Sequence, residues 1–73
     1  ALKQDYKKAI ALYTQACEYQ NSDSCYNLAL LYREGEGVRL NKVISKELFG
    51  KACDYGNNKG CKQFRIMSNA GIK

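Results

Sequence analysis

The chain has 73 residues, 45% of them hydrophobic and 26% charged, which is a globular composition and not a disordered one. Its net charge of +5 comes from scattered bases, with no block of five or six like charges, so the expectation is a solvated basic surface and no nucleic-acid partner. No apolar run approaches membrane-spanning length, and a domain this small needs fastening beyond a single core.

The chain opens without a signal peptide, directly on "LKQDYKKAIALY", which already reads as helix. It is read as a mature or trimmed piece, leaving room for an export signal in the gene. From Asp5, the expected N-cap, to about Gln20, apolar residues fall at Tyr6, Ala9, Ile10, Tyr13, Ala16 and Cys17, the spacing of a half-buried helix. Asn21 and Ser22 break the run. A second helix starts at Ser22 or Asp23 and carries Cys25, Leu28, Ala29 and Tyr32 on one stripe. It stops at "EGEG", where Gly35 and Gly37 supply the positive φ of a helix end. Asn41 caps a third helix reaching about Tyr55, with Val43, Ile44, Leu48, Phe49, Ala52 and Cys53 as its apolar positions and Gly56 at its end. Gly50 interrupts that pattern. A fourth helix is predicted from about Asn58 to Asn69, carrying Cys61, Phe64 and Met67. The chain contains no proline and no period-two segment long enough for a strand.

The sequence repeats itself. "ACEYQNSDSC" at Ala16 returns as "ACDYGNNKGC" at Ala52, an offset of 36 that also pairs Leu12 with Leu48, Tyr13 with Phe49, Leu28 with Phe64 and Gly35 with Gly71. A period in the mid-thirties suits a two-helix unit that stacks on its neighbours. The expected fold is therefore all-α: an α/α solenoid of two stacked antiparallel helix hairpins, about four helices in all. Alanines on the apolar stripes allow close helix approach.

"CYNLALLYREGEGVRLN" followed by "KELFGKACDYGN" resembles the Sel1-like repeat, a relative of the tetratricopeptide repeat, with Leu28, Ala29, Tyr32, Gly35, Gly37, Val38, Ala52 and Gly56 on its motif. The cysteine pair once per repeat is similar to the Helicobacter cysteine-rich proteins within that family. The resemblance implies one disulfide per hairpin and a single domain made of a half-repeat (5–21), a full repeat (22–57) and a half-repeat (58–73), forming part of a longer repeat protein. It also implies neighbouring repeats of the parent chain as partners.

Residue chemistry agrees on the cysteines. Each pair is C-x₇-C and the chain has no His, which suits neither a zinc site nor a C-x-x-C redox motif. Across a helical turn the two cysteines of each pair face each other, and repeat symmetry favours Cys17–Cys25 and Cys53–Cys61 among the three possible pairings. Disulfides place the chain in an oxidising compartment, periplasmic or secreted. No metal and no cofactor is expected.

Two functions follow as expectations. The resembled cysteine-rich family is described as penicillin-binding or weakly β-lactamase-like. In this chain Ser22, Ser24, Ser45 and Ser68 all lack a Lys three residues on, and there is no His, so no catalytic residue is assigned. The favoured reading is a protein or peptide interaction module using the concave face of the solenoid. Resemblance to tetratricopeptide domains turns Asp23, Tyr26, Asn27, Leu30 and Arg33 towards that groove, with Lys59, Lys62, Gln63, Ile66 and Asn69 as their counterparts on the fourth helix. The same resemblance puts Asn27 where carboxylate-clamping tetratricopeptide domains carry an asparagine, which implies an acidic ligand or a C-terminal carboxylate, with Lys59 and Lys62 supplying positive charge. The competing reading of these residues is ordinary solvated helix surface, with Tyr26 packed on a neighbouring repeat.

Overall fold

The computed structural model describes residues 3–72, with side chains from Asp5 onward. Four helices follow in order: α1 (Lys3–Glu18), α2 (Ser22–Glu34), α3 (Lys42–Asp54) and α4 (Asn58–Asn69), with no strand among the described residues. They form antiparallel hairpins packed in sequence, α1 on α2, α2 on α3 and α3 on α4, within an envelope of 33 × 24 × 16 Å. This is the expected all-α, Sel1-like solenoid.

The helix ends are set by local chemistry. Asn21, Asn41 and Asn57 are N-caps, whose side-chain oxygens accept from the backbone N–H groups of Ser24, Ile44 and Gly60 at 2.9–3.0 Å. Asn21 and Asn57 also close the preceding helix. The Asn21 N–H donates to the Ala16 carbonyl at 3.0 Å, and the Asn57 N–H to the Ala52 carbonyl at 2.8 Å. One asparagine thus ends a helix and starts the next, which leaves no room for a longer loop. The residue just before it must adopt positive φ, and Gly56 does so at 109°; its repeat counterpart Gln20 does so at 68° without a glycine's freedom.

Two expectations are corrected. Asp5 is not an N-cap: α1 begins at Lys3 and runs through it. Its repeat counterpart Asn41 caps because the chain arrives there from the glycine-bearing loop, its N–H held by the Tyr32 carbonyl at 3.0 Å. Before Asp5 stand only good helix formers. Nor does Gly50 break α3, which is unbroken to Asp54. A Cβ built at Gly50 would lie 3.2 Å from the Phe64 ring, so the glycine lets α4's aromatic side chain approach the helix.

The core comprises Cys17, Cys25, Leu28, Ala29, Leu48, Phe49, Ala52 and Met67. Phe49 and Ala29 are fully buried. So is Ser45, whose hydroxyl donates to the Ala29 carbonyl at 2.7 Å and so ties α3 to α2 without an unpaired polar atom. The disulfides are Cys17–Cys25 and Cys53–Cys61, one across each hairpin turn, with Cα separations of 4.7 and 4.5 Å. Each closes a loop of about nine residues, worth roughly 2.5 kcal/mol in the chain-entropy account. No free cysteine stands among the described residues.

The loop between α2 and α3 is docked on α1. Gly37, at φ 75°, sits so close that a Cβ there would overlap Tyr6 Cβ. The Tyr6 hydroxyl donates to Glu36 Oε2 at 2.9 Å. At the other end the Lys46 ammonium donates to the Ile72 carbonyl at 2.7 Å and lies 5.1 Å from the centre of the Phe64 ring, holding the end of α4 against α3.

Candidate functional site

The candidate residues occupy α2 and α4, the second helices of the two disulfide-bridged hairpins. Two side-chain contacts show that these helices run alongside each other. The Asn57 amide donates to Asp23 Oδ1 at 3.0 Å near both N-termini, and one guanidinium nitrogen of Arg33 donates to Gln63 Oε1 at 3.1 Å further along. The stacking of α3 between them, with α2 on one side and α4 on the other, produces this juxtaposition.

The structure divides the candidates into two groups. Tyr26, Arg33 and Gln63 belong to the seam. Tyr26 packs on Phe49, ring centres 5.4 Å apart and planes tilted by 59°, so its partner is within the chain. The Arg33 guanidinium lies 6.0 Å from the Phe49 ring centre and pairs through Nε with Glu34 Oε2 at 2.9 Å. That pair is at the surface and adds little stability; with Gln63 it fixes the direction of the side chain. Leu30 is half-buried against the core.

Asn27, Lys59, Lys62 and Ile66 form the second group. Asn27 is half-buried, while Lys59 and Lys62 are exposed. Among the described residues none of the three makes a side-chain hydrogen bond or ion pair. Ile66 is 49% exposed, a large apolar side chain facing water. Lys59, Lys62 and Ile66 recur at helical spacing, so they share one stripe of α4. Asp23 is exposed but engaged with Asn57, and Asn69 is exposed at the end of α4.

Tyr26 and Arg33 thus lie against Phe49, while Asn27 on α2 and Lys59 and Lys62 on α4 keep their polar groups without side-chain partners among the described residues. Asn27 carries an amide donor, and Lys59 and Lys62 carry positive charge at the surface. Sequence reasoning missed Phe49 as the platform of this face. Its fixed aromatic character at the Tyr13 offset was the available signal, but only the packing shows that Tyr26 and Arg33 lie against it.

Two open clefts lie elsewhere among the described residues. One of about 360 Å³ is lined by Lys7, Gly37, Val38 and Arg39, and one of about 310 Å³ by Glu47, Gly50, Lys51, Cys53, Asp54 and Phe64. Neither contains a candidate residue. Among the described residues no three His, Cys, Asp or Glu side chains converge as metal ligands would. No described helix is long and apolar enough to cross a membrane.

The family model of the Sel1 repeat matches residues 1–18 and 22–57. The chain is also similar to the cytochrome c oxidase assembly factor 7 of Xenopus tropicalis, with 31% identity over 70 residues. The alignment takes in 94% of this chain but only 30% of that relative's length.

Proposed function

The chain belongs to the Sel1 repeat family, and on that premise we propose that it is a peptide-binding interaction module acting in the periplasm or outside the cell. Sel1 repeats generally mediate protein–protein interaction. The relative's name describes an assembly factor. The two disulfides are compatible with an oxidising compartment, and they motivate the location. The division into a half-repeat, a full repeat and a half-repeat at 5–21, 22–57 and 58–73 goes with this reading.

One observation carries the proposal. Asn27, Lys59 and Lys62 make no side-chain hydrogen bond or ion pair among the described residues and Ile66 is exposed, on the two helices whose seam is packed by Tyr26, Arg33, Gln63 and Phe49. Side chains already held by packing contacts lose less freedom when a ligand binds over them. The unpaired donors and cations suit an acidic segment or a terminal carboxylate.

The test is fluorescence anisotropy against a library of extended peptides, acidic and neutral, each with a free and an amidated C-terminus. The expected result is preferential binding of acidic or free-carboxylate peptides, weakened at least about tenfold by Asn27→Ala combined with Lys62→Ala. Equal binding by the double variant moves the site off this face. Hydrolysis of a chromogenic β-lactam that stays with the protein through purification and is kept by that variant supports the enzymatic alternative instead.

A further inference from the structure

We propose that the cleft between the start of α1 and the α2–α3 loop binds a small organic oxyanion, a carboxylate or phosphate carried on a compact apolar body. The argument is independent of the peptide reading above and uses none of its residues.

The cleft has a volume of about 360 Å³ and is lined by Lys7 of α1 and by Gly37, Val38 and Arg39 of the loop. That volume lies at the small end of the range for small-molecule sites. Lys7 and Arg39 come from separate segments and meet at one opening. Both are exposed, and neither makes an ion pair among the described residues. No acid is among the described residues that line the cleft. Glu36, the acid of the loop, accepts instead from the Tyr6 hydroxyl at 2.9 Å. Charges of one sign at a concave opening focus their field and attract a counter-ion more strongly than the same charges on a flat face. The apolar part of the lining is half-buried Val38, together with the aliphatic stems of the two cations.

The walls are held in place before any ligand arrives. Gly37, at φ 75°, is seated on α1: a Cβ there would overlap Tyr6 Cβ and lie 3.0 Å from Ile10 Cδ1. On one side of the cleft residues the Glu36 N–H donates to the Leu31 carbonyl. On the other the Asn41 N–H donates to the Tyr32 carbonyl, both at 3.0 Å. A loop fastened at both ends loses little freedom when a ligand enters.

The two cations are not demanded by the repeat. Gly37 and Val38 lie on its motif, whereas Lys7 and Arg39 do not. Moving 36 residues along the sequence carries Lys7 onto Val43, which is 44% exposed. The same helix position therefore accepts an apolar side chain. As recognition chemistry the pair is well matched to an oxyanion. A guanidinium offers parallel N–H donors to a carboxylate or phosphate, and an ammonium adds a compact charge. A bare inorganic ion would leave the Val38 wall uncovered, so the ligand carries an apolar body.

The test is an amide chemical-shift titration of the labelled chain with phenylacetate, phenyl phosphate, neutral phenylacetamide and inorganic phosphate. At least one of the two organic anions should bind with a dissociation constant of about 1 mM or tighter, with shifts centred on Lys7, Gly37, Val38 and Arg39. The tighter of the two assigns the oxyanion as carboxylate or phosphate. Phenylacetamide and inorganic phosphate should bind at least about tenfold more weakly than that anion. Lys7→Val, which installs the residue of the other repeat, and Arg39→Ala should each weaken binding at least about fivefold. Both should keep the parent Tm within about 2 °C, because the positions are exposed. Asn27→Ala combined with Lys62→Ala should leave the binding unchanged, which separates this cleft from the α2–α4 face. The proposal is overturned by equal binding of phenylacetamide, or by inorganic phosphate binding as tightly as the better organic anion. It is also overturned if neither organic anion shifts the cleft residues at about 20 mM, or if binding survives both cleft variants undiminished.

Discussion

Gly60→Ala tests the helix packing most sharply. Gly60 is buried near the start of α4, facing α3. A Cβ there would lie 2.8 Å from Ala52 Cβ, 2.9 Å from the Phe49 carbonyl oxygen and 3.0 Å from the Cys53 nitrogen. Two of these are backbone atoms of α3, which no rotamer change can move. The Cys53–Cys61 disulfide pins α4 beside them, so the helix cannot slide away freely. Removing glycine from a helix contributes at most about 1 kcal/mol of stabilisation. Forcing a methyl group into a filled contact costs about 1–3 kcal/mol. The net expectation is a loss of about 1–2 kcal/mol, or a Tm lower by roughly 4–16 °C at this chain length. Gly50→Ala is the paired control, because its methyl would meet only the Phe64 ring at 3.2 Å, on a half-exposed side chain that can shift. That variant should match or exceed the parent in stability. Urea melts followed by circular dichroism, with the m-value checked for constancy, measure both. A Gly60→Ala protein as stable as the parent, or a Gly50→Ala protein equally damaged, would refute the packing argument.

Gln20→Gly should stabilise the chain. The left-handed conformation at φ 68° costs a non-glycine residue about 1–2 kcal/mol, and the added freedom of the unfolded glycine offsets about 0.4–1 kcal/mol of the relief. A gain of about 0.5–1 kcal/mol in a urea melt is expected, and a loss would show that Gln20 makes contacts worth more than its strain. Tyr6 predicts an alkaline sensitivity. Its hydrogen bond to Glu36, then the negative charge of that carboxylate, then burial hold its pKa above the usual tyrosine value near 10. The bound form is the neutral phenol, so its contribution is complete below pH about 10 and is lost as pH rises through the raised pKa. Glu36→Gln should return one tyrosine of the six to the normal range in an ultraviolet pH titration; an unchanged titration curve would dismiss the contact. Ser45→Ala should cost about 1 kcal/mol in the same melts, through loss of the bond to the Ala29 carbonyl, and an unchanged midpoint would show that the hydroxyl contributes nothing net.

The repeat made the architecture legible. One offset of 36 aligned the cysteines, the helix-ending glycines and the apolar stripes, and the four helices and both disulfides lie where that alignment places them. Residues that depart from the repeat were harder to read. Asp5 occupies the position of the capping Asn41, but capping depends on the chain that precedes it, and α1 continues through Asp5 to Lys3. Gln20 occupies the position of Gly56, and backbone strain leaves no mark on composition or periodicity. Gly50 and Gly60 look alike as glycines in helices, yet one accommodates an aromatic ring and the other a backbone.

The candidate face was legible only as a stripe. Helical spacing places Tyr26, Asn27, Leu30 and Arg33 on one side of α2, but it does not tell which of them are already engaged. Tyr26 and Arg33 lie against Phe49, twenty-three and sixteen residues away in the chain, and Gln63 meets Arg33 only because α4 stacks past α3. Such long-range pairings follow from packing and have no local signature.

The most direct test of peptide recognition by this face is an amide chemical-shift titration of the labelled protein with the tightest peptide from the anisotropy screen. The account predicts the largest shifts at Asn27, Leu30, Lys59, Lys62 and Ile66, with the seam residues Tyr26, Arg33 and Gln63 responding in place and the disulfide turns unchanged. Shifts confined to α1 and α3, or to the cleft beside Lys7 and Arg39, would contradict it.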